Sequence, residues 1–312
     1  LPDDLHKYIN LKRLNCSNNN LSHCDKENLP DGLIELDCSN NYELIHLDNL
    51  PQSLEKLVYC FKKSYQSKEI QLTTLDKLPP NLTYLDCSIH SNMYGFDFGN
   101  IEQLDNLPPN LTYLNCSKNP IQHLDNLPPN LKVLICCGMG FVQKKYIVDG
   151  SDPLDADYIM PYDEIPRLSQ LDNLPADLEI LDCSENFQIT QLDNLPVGLI
   201  ELTCIRCSGI SHLDYLPQNL EKLDCSYNRL TQLDNLPTGL ILLNCAFNGI
   251  TQLDNLPRFI KTLWCEHNGL RKLNNMPLTV EALRCGSNGL EYDFVCSLQN
   301  IKRHIKQLQK KK

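Results

Sequence analysis

A phrase of nine residues, L-x-x-L-x-C-S-x-N, recurs along this chain and constrains its fold more than any other feature. It reads LIELDCSNN from Leu33, LTYLNCSKN from Leu111, LEILDCSEN from Leu178, LEKLDCSYN from Leu220 and LILLNCAFN from Leu240. Its second leucine returns twelve times, at Leu14, Leu36, Leu57, Leu85, Leu114, Leu134, Leu181, Leu202, Leu223, Leu243, Leu263 and Leu283. A second phrase, LDNLP, lies between copies, as at 104–108, 192–196 and 233–237. Successive cysteine positions are 22, 21, 28, 29, 20, 47, 21, 21, 20, 20 and 20 residues apart. A unit of about 20 residues cannot bury its own apolar face, so the copies must stack side by side as a solenoid.

In L-x-x-L-x-C the second leucine and the cysteine are two residues apart. On a strand they share one face and the residues around them point to the other, so one face is core and the other open. Parallel connections are usually helical, but a proline at a fixed place in every turn disfavours a helix here. The spacer therefore reads as an extended, polyproline-like convex side. Eleven steps of about 4.8 Å make an inner sheet roughly 50 Å long.

The pattern L-x-x-L-x-C-x-x-N-x-L, as from Leu220 to Leu230, resembles the leucine-rich repeat, with cysteine in place of the third aliphatic residue. The short LP-containing spacer is similar to the 20-residue class found in bacterial secreted effectors of the invasion-plasmid-antigen type and in giant-virus proteins such as those of mimivirus. The resemblance implies an α/β-class repeat solenoid: a curved horseshoe with a parallel concave sheet of about twelve short strands, an extended convex side and a C-terminal capping helix. It leaves function open, since this scaffold serves many partners.

The repeated columns read first as scaffold. Cys16, Cys38, Cys87, Cys116, Cys136, Cys183, Cys204, Cys225, Cys245, Cys265 and Cys285 act as small buried hydrophobes, with Tyr59 taking one rung. Rungs about 4.8 Å apart are too far for disulfides, so the ladder reads as free thiols in a reducing, cytoplasmic setting. Cys204 and Cys207 form a C-x-x-C, but no second pair completes a zinc site, and no metal or cofactor is expected. Cys207 stands where other repeats have Asn, and the resemblance makes Cys a known substitute there. The asparagines Asn19, Asn41, Asn119, Asn186, Asn228, Asn248, Asn268 and Asn288 are read as satisfying backbone groups between turns. The LDNLP aspartates, Asp48, Asp76, Asp105, Asp125, Asp172, Asp193, Asp214, Asp234 and Asp254, would repel one another unless compensated. Asx-type bonds to backbone are one compensation, and calcium between turns another.

Function is then sought among residues the fold does not require. On the open face, Tyr227, Phe247 and His267 hold the same position in three successive repeats, with Trp264 one strand position inside, and Tyr84 with Tyr113 makes a second pair. Aromatics in a row suit a protein-binding hot spot. Asp37, Asp86, Asp182 and Asp224 between them favour a basic partner. The partner-binding set is thus Tyr84, Tyr113, Asp182, Asp224, Tyr227, Phe247, Trp264 and His267.

The repeats are expected to span residues 11–293, with a long acidic, proline-interrupted insertion at about 137–167 and shorter ones near 62–71 and 90–100. Residues 294–312 read as a capping helix and basic tail: Phe294, Leu298, Ile301, Ile305 and Leu308 fall on one helical face after Ser297, a suitable N-cap. Residues 1–10 read as a cap or the remnant of a preceding module, and LPDDLHKYI resembles the opening of an F-box, a ubiquitin-ligase docking module. No apolar run approaches the roughly 18 residues of a membrane span. The balance of 39 acidic to 28 basic residues, with six of the basic ones in the C-terminal tail, disfavours nucleic acid.

About 25 residues follow the last repeat, too few for the C-terminal ligase domain of some bacterial effectors, and no Ser-His-Asp order or phosphate loop is visible. The expectation is a non-catalytic, concave-face protein binder, engaging a host component if it comes from a virus or pathogen. A ubiquitin-ligase substrate receptor and a purely structural or self-associating solenoid are the alternatives. The partner's identity and the oligomeric state are not written in the sequence.

Overall fold

The computed structural model describes residues 1–2, 4–25, 27–41, 43–44, 46–47, 49–62, 74–90, 99–138 and 168–311. The three insertions fall for the most part outside these residues.

Twelve three-residue strands form one parallel sheet: β1 (Arg13–Asn15), β2 (Glu35–Asp37), β3 (Lys56–Val58), β5 (Tyr84–Asp86), β7 (Tyr113–Asn115), β8 (Val133–Ile135), β9 (Ile180–Asp182), β10 (Glu201–Thr203), β11 (Lys222–Asp224), β12 (Leu242–Asn244), β13 (Thr262–Trp264) and β14 (Ala282–Arg284). Two further two-residue strands, β4 (Phe61–Lys62) and β6 (Ile89–His90), pair with each other outside it. The repeated leucine is the middle residue of every strand in the main sheet. From Leu36 to Leu263 it is at most 1% exposed, whereas the end rungs Leu14 and Leu283 are half-buried. Register places leucine beside leucine at each step, so the core is a continuous ridge of leucine backed by the cysteine ladder. All sixteen cysteines are free thiols, and Tyr59 fills its rung with its hydroxyl donating to the Leu44 carbonyl.

The asparagine column closes the turn after each strand. In Asn268 the side-chain amide donates to the carbonyls of Cys245, Cys265 and Glu266, at 2.9, 3.2 and 3.3 Å, and its oxygen accepts from Ile250 N–H at 3.0 Å. Asn41, Asn119, Asn186, Asn228, Asn248 and Asn288 donate in the same way. Cys207 imitates the amide with a weaker donor, its thiol reaching the Cys183 carbonyl at 3.3 Å.

Among the described residues the spacer contains no helix. It is two tight turns joined by an extended Leu-Pro step, the second closed by a bond such as Leu111 N–H to the Pro108 carbonyl at 3.1 Å. The first turn needs left-handed backbone, which Asn tolerates, and Asn49, Asn106, Asn126, Asn173, Asn194 and Asn235 all have φ near 60°. Asparagines of this turn also answer part of the charge problem of the aspartate ladder. Asn106, Asn126, Asn173 and Asn275 donate to Asp76, Asp105, Asp125 and Asp254 of the preceding turn at 2.8–3.2 Å. For these four aspartates the compensation is an amide rung from the next turn; Asp48 lies outside the described residues.

At the start, Leu5–Lys7 form one 3-10 turn, with Leu1, Leu5 and Leu11 packed on the first rungs. At the end, helix α1 (Leu298–Gln309) lays Ile301 and Ile305 over the open core, and the Ser297 hydroxyl accepts from Asn300 N–H. Phe294 precedes the helix and stacks on Tyr292, whose hydroxyl accepts from Leu273 N–H. No helix among the described residues is long and apolar enough to cross a membrane.

Candidate functional site

Each strand leaves its first and third residues on the open face, both half-exposed around the buried leucine in most rungs. Two residues past the cysteine, the chain turns through a left-handed residue whose N–H reaches the next turn. Tyr227 N–H meets the Ala246 carbonyl, Phe247 the Glu266 carbonyl and His267 the Gly286 carbonyl, at 2.9, 2.9 and 3.0 Å. That position is occupied by Asn18, Asn40, Lys118, Gly138, Glu185, Arg206, Tyr227, Phe247, His267 and Ser287, with φ between 51° and 63°. Tyr227, Phe247 and His267 therefore stand at the rim, three residues beyond the end of their strands.

Their rings form one stack. Tyr227 and Phe247 have centroids 4.1 Å apart and planes 8° from parallel, and Phe247 and His267 have centroids 4.1 Å apart at 14°. Arg206, from the same column one turn earlier, closes the first end with its guanidinium 5.0 Å from the Tyr227 ring, and is itself 3.5 Å from Glu185. Tyr227 remains 41% exposed, enough for a partner to reach the stack from the side.

Trp264 belongs to a different column, the third position of β13, and carries Arg284 over its ring at 4.7 Å. Tyr84 and Tyr113 belong to a third, the first strand position, and stack at 4.1 Å and 4° with Lys56 over Tyr84 at 4.5 Å. Burial raises the pKa of both phenols above the ordinary tyrosine value. Register continues this row into Val133 and Ile180, making an apolar strip in the middle of the sheet. The sequence residues thus divide into a rim stack, a strand-face tryptophan beside it, and a separate tyrosine pair.

Asp182 and Asp224 sit at the third strand position and are committed to the turn that follows. One oxygen of Asp224 accepts from the backbone and hydroxyl of Ser226 at 3.1 and 2.7 Å, and the other from the Asn244 amide at 2.7 Å. Asp182 holds Ser184 by the same pair of bonds. Asp86 holds Ser88 likewise, and Asp37 accepts from the Ser39 backbone N–H at 3.1 Å. Much of their charge is spent inside the molecule, leaving less for a partner. Among the described residues no group of three or more His, Cys, Asp or Glu is placed to hold a metal ion.

The reading of the sequence omitted Arg206, Arg284, Lys56, Val133 and Ile180. Their signal was available in the register: each falls in the same repeat column as, or one turn away from, an aromatic already singled out.

No family model matches the sequence and no curated protein resembles it closely enough to count as a relative, so solved structures carry the comparison. YopM from Yersinia pestis, described as a leucine-rich effector protein, superposes with a TM-score of 0.54 at 25% identity, over 88% of this chain and 78% of that one. The fold is the leucine-rich repeat. YopM from Yersinia enterocolitica is similar at 26% identity over 92% of this chain and 71% of that one, with a TM-score of 0.45. The functional domain of InlJ from Listeria monocytogenes, which includes a cysteine ladder, is 23% identical over 89% of this chain and 53% of that one, with a TM-score of 0.48. Within the leucine-rich-repeat frame, the buried leucines, cysteines and asparagines are accounted for by the scaffold. The rim stack and the tyrosine strip are not.

Proposed function

We propose that this leucine-rich-repeat chain is a non-catalytic scaffold that binds a protein partner along the rim stack Tyr227–Phe247–His267 and the adjoining open face at Trp264. The observation that carries this reading is conformational. Left-handed backbone suits Gly and Asn, as at Asn18, Asn40 and Gly138, although Lys118, Glu185 and Arg206 also take it in the turns before the stack. A bulky residue in that conformation costs about 1 kcal/mol or more. Three successive turns nevertheless hold ring-bearing side chains, aligned and accessible. The turn does not require a ring, since Lys118, Glu185, Arg206 and Ser287 take the same left-handed backbone without one, so a surface requirement is the simplest account of three rings in a row. Tyr84, Tyr113, Val133 and Ile180 provide a second apolar strip on the same face, and Asp182 and Asp224 contribute there only through what the turns leave free.

The likeness to a Yersinia pestis leucine-rich effector protein supports a partner in a host cell, and sixteen free cysteines fit a reducing cytoplasm. The test is affinity capture with the wild-type chain beside Tyr227→Ala with Phe247→Ser, both verified as folded by circular dichroism. A protein retained by the first and lost by the second supports the ridge. Equal retention moves the site elsewhere, and no retention from eukaryotic lysates favours a structural or self-associating role.

A further inference from the structure

The stacked column is one ring short. Ser287 continues it in the next turn with the same left-handed backbone, φ 51° against 52° for His267, and the two turns are joined by the His267 N–H to Gly286 carbonyl bond. Ser287 brings no ring. Gly286 and Ser287 are both exposed, and a Cβ placed on Gly286 would meet nothing within 4 Å. Phe247 covers one face of the His267 imidazole; among the described residues nothing else stacks on the ring or hydrogen-bonds to it. Its other face is turned toward the next position of the column, where rings would continue at 4.1 Å but Ser287 has only a hydroxymethyl group.

The molecule itself indicates which planar group fits. Among the described residues four aromatic rings carry a cation, namely Lys56 on Tyr84, Arg206 on Tyr227, Arg258 on Phe259 and Arg284 on Trp264, at 4.5–5.0 Å. Three of those cations are guanidiniums, which are planar and weakly hydrated and so stack well on rings. Arg206 closes the far end of this stack in that way; the His267 end lacks its counterpart. Glu266, the residue before His267, brings a negative charge to the same turn. Arg284, the cation of the last turn, is held over Trp264. The chain as a whole carries a net charge of −11, which draws a basic segment toward it.

We infer that the open face of His267 is the seat of an arginine side chain from a basic partner segment, lying in the place that a ring at position 287 would fill. The inference rests on reading the rim stack as a binding surface, and it names the chemistry of the residue that docks there.

Trp264 is the only tryptophan and belongs to the same turn, so its fluorescence reports on this seat. The full chain is titrated with ten-residue Gly/Ser peptides carrying three Arg, three Lys or three Phe. The Arg peptide is expected to bind at least about threefold more tightly than the Lys peptide, the margin of one exposed cation–π stack. Ser287→Tyr fills the space with an intramolecular ring and should bring the Arg peptide down to the Lys level, while Ser287→Ala leaves it unchanged. Tyr227 already shows that tyrosine accepts this backbone, and thermal melting checks that both variants fold. Equal binding of Arg and Lys peptides, preference for Phe, no binding of the Arg peptide at millimolar concentration, or indifference to Ser287→Tyr overturns the arginine seat. A captured partner that is lost with Phe247→Ser yet retained by Ser287→Tyr would remove the seat and leave the ridge standing.

Discussion

Phe247 lies face to face with Tyr227, ring centroids 4.1 Å apart, although each residue occupies a backbone conformation that its side chain disfavours. Stacking returns part of that cost, since an aromatic pair contributes about 0.5–1.5 kcal/mol beyond burial. The balance is near zero for folding, which leaves the rings free to serve a surface role and makes the position separable from stability.

Phe247→Asn tests that separation. Asn prefers the left-handed turn, as at Asn18 and Asn40, so urea denaturation should show a change within about 1 kcal/mol of wild type while partner capture is lost. A loss of stability well beyond that figure would mean that the stack is a structural element.

The asparagine column should be the opposite case. Asn268→Ala removes three donated bonds and one accepted bond and is expected to cost about 2–3 kcal/mol by leaving enclosed backbone groups unpaired. Cys207→Asn should stabilise the chain by about 1 kcal/mol, because the amide donates more strongly than the thiol that now reaches the Cys183 carbonyl at 3.3 Å. Equilibrium denaturation of both variants decides the matter; a destabilised Cys207→Asn would show that the turn has adapted to sulfur.

Alkaline pH should unfold this protein earlier than its composition suggests. Burial raises the Cys245 thiol to about 12, and the Cys87, Cys116, Cys136, Cys204 and Cys225 thiols well above their usual value. In the unfolded chain these groups ionise near pH 9. Their contribution is therefore complete below pH about 9 and is lost as pH rises toward the folded values, at up to about 1.4 kcal/mol per pH unit for each thiol. Unfolding free energies from pH 7 to 10.5 should fall with a slope of several thiols, and a slope of one or fewer would contradict the burial.

Thiol chemistry at neutral pH offers a simpler check. Cys296 is the exposed cysteine, while the core ladder from Cys16 to Cys265 is buried. A chromogenic disulfide reagent should therefore modify about one thiol quickly and the ladder only after denaturant is added. Cys296→Ser should remove the fast phase, and rapid labelling of many thiols would show that the turns open readily.

The sequence by itself determined the stack of turns. Its leucine, cysteine and asparagine columns repeat because each answers a demand that every turn makes, a buried strand centre, a small apolar neighbour and a partner for the turn's carbonyls, so counting positions was enough to find them. Spacing also put Tyr227, Phe247 and His267 in one column, and Tyr84 with Tyr113 in another. Tertiary structure decided what those columns do. It moved the first three from the strand face to left-handed residues at the rim, committed Asp182 and Asp224 to their own turns, bridged Asp76, Asp105, Asp125 and Asp254 of the spacer with asparagine amides, and laid Arg206 and Arg284 over rings whose residues neighbour them only across the sheet. None of this is periodic in one turn alone: it depends on φ at a single residue and on which side chains face each other 20 or so positions apart, and those are fixed only when the turns are stacked.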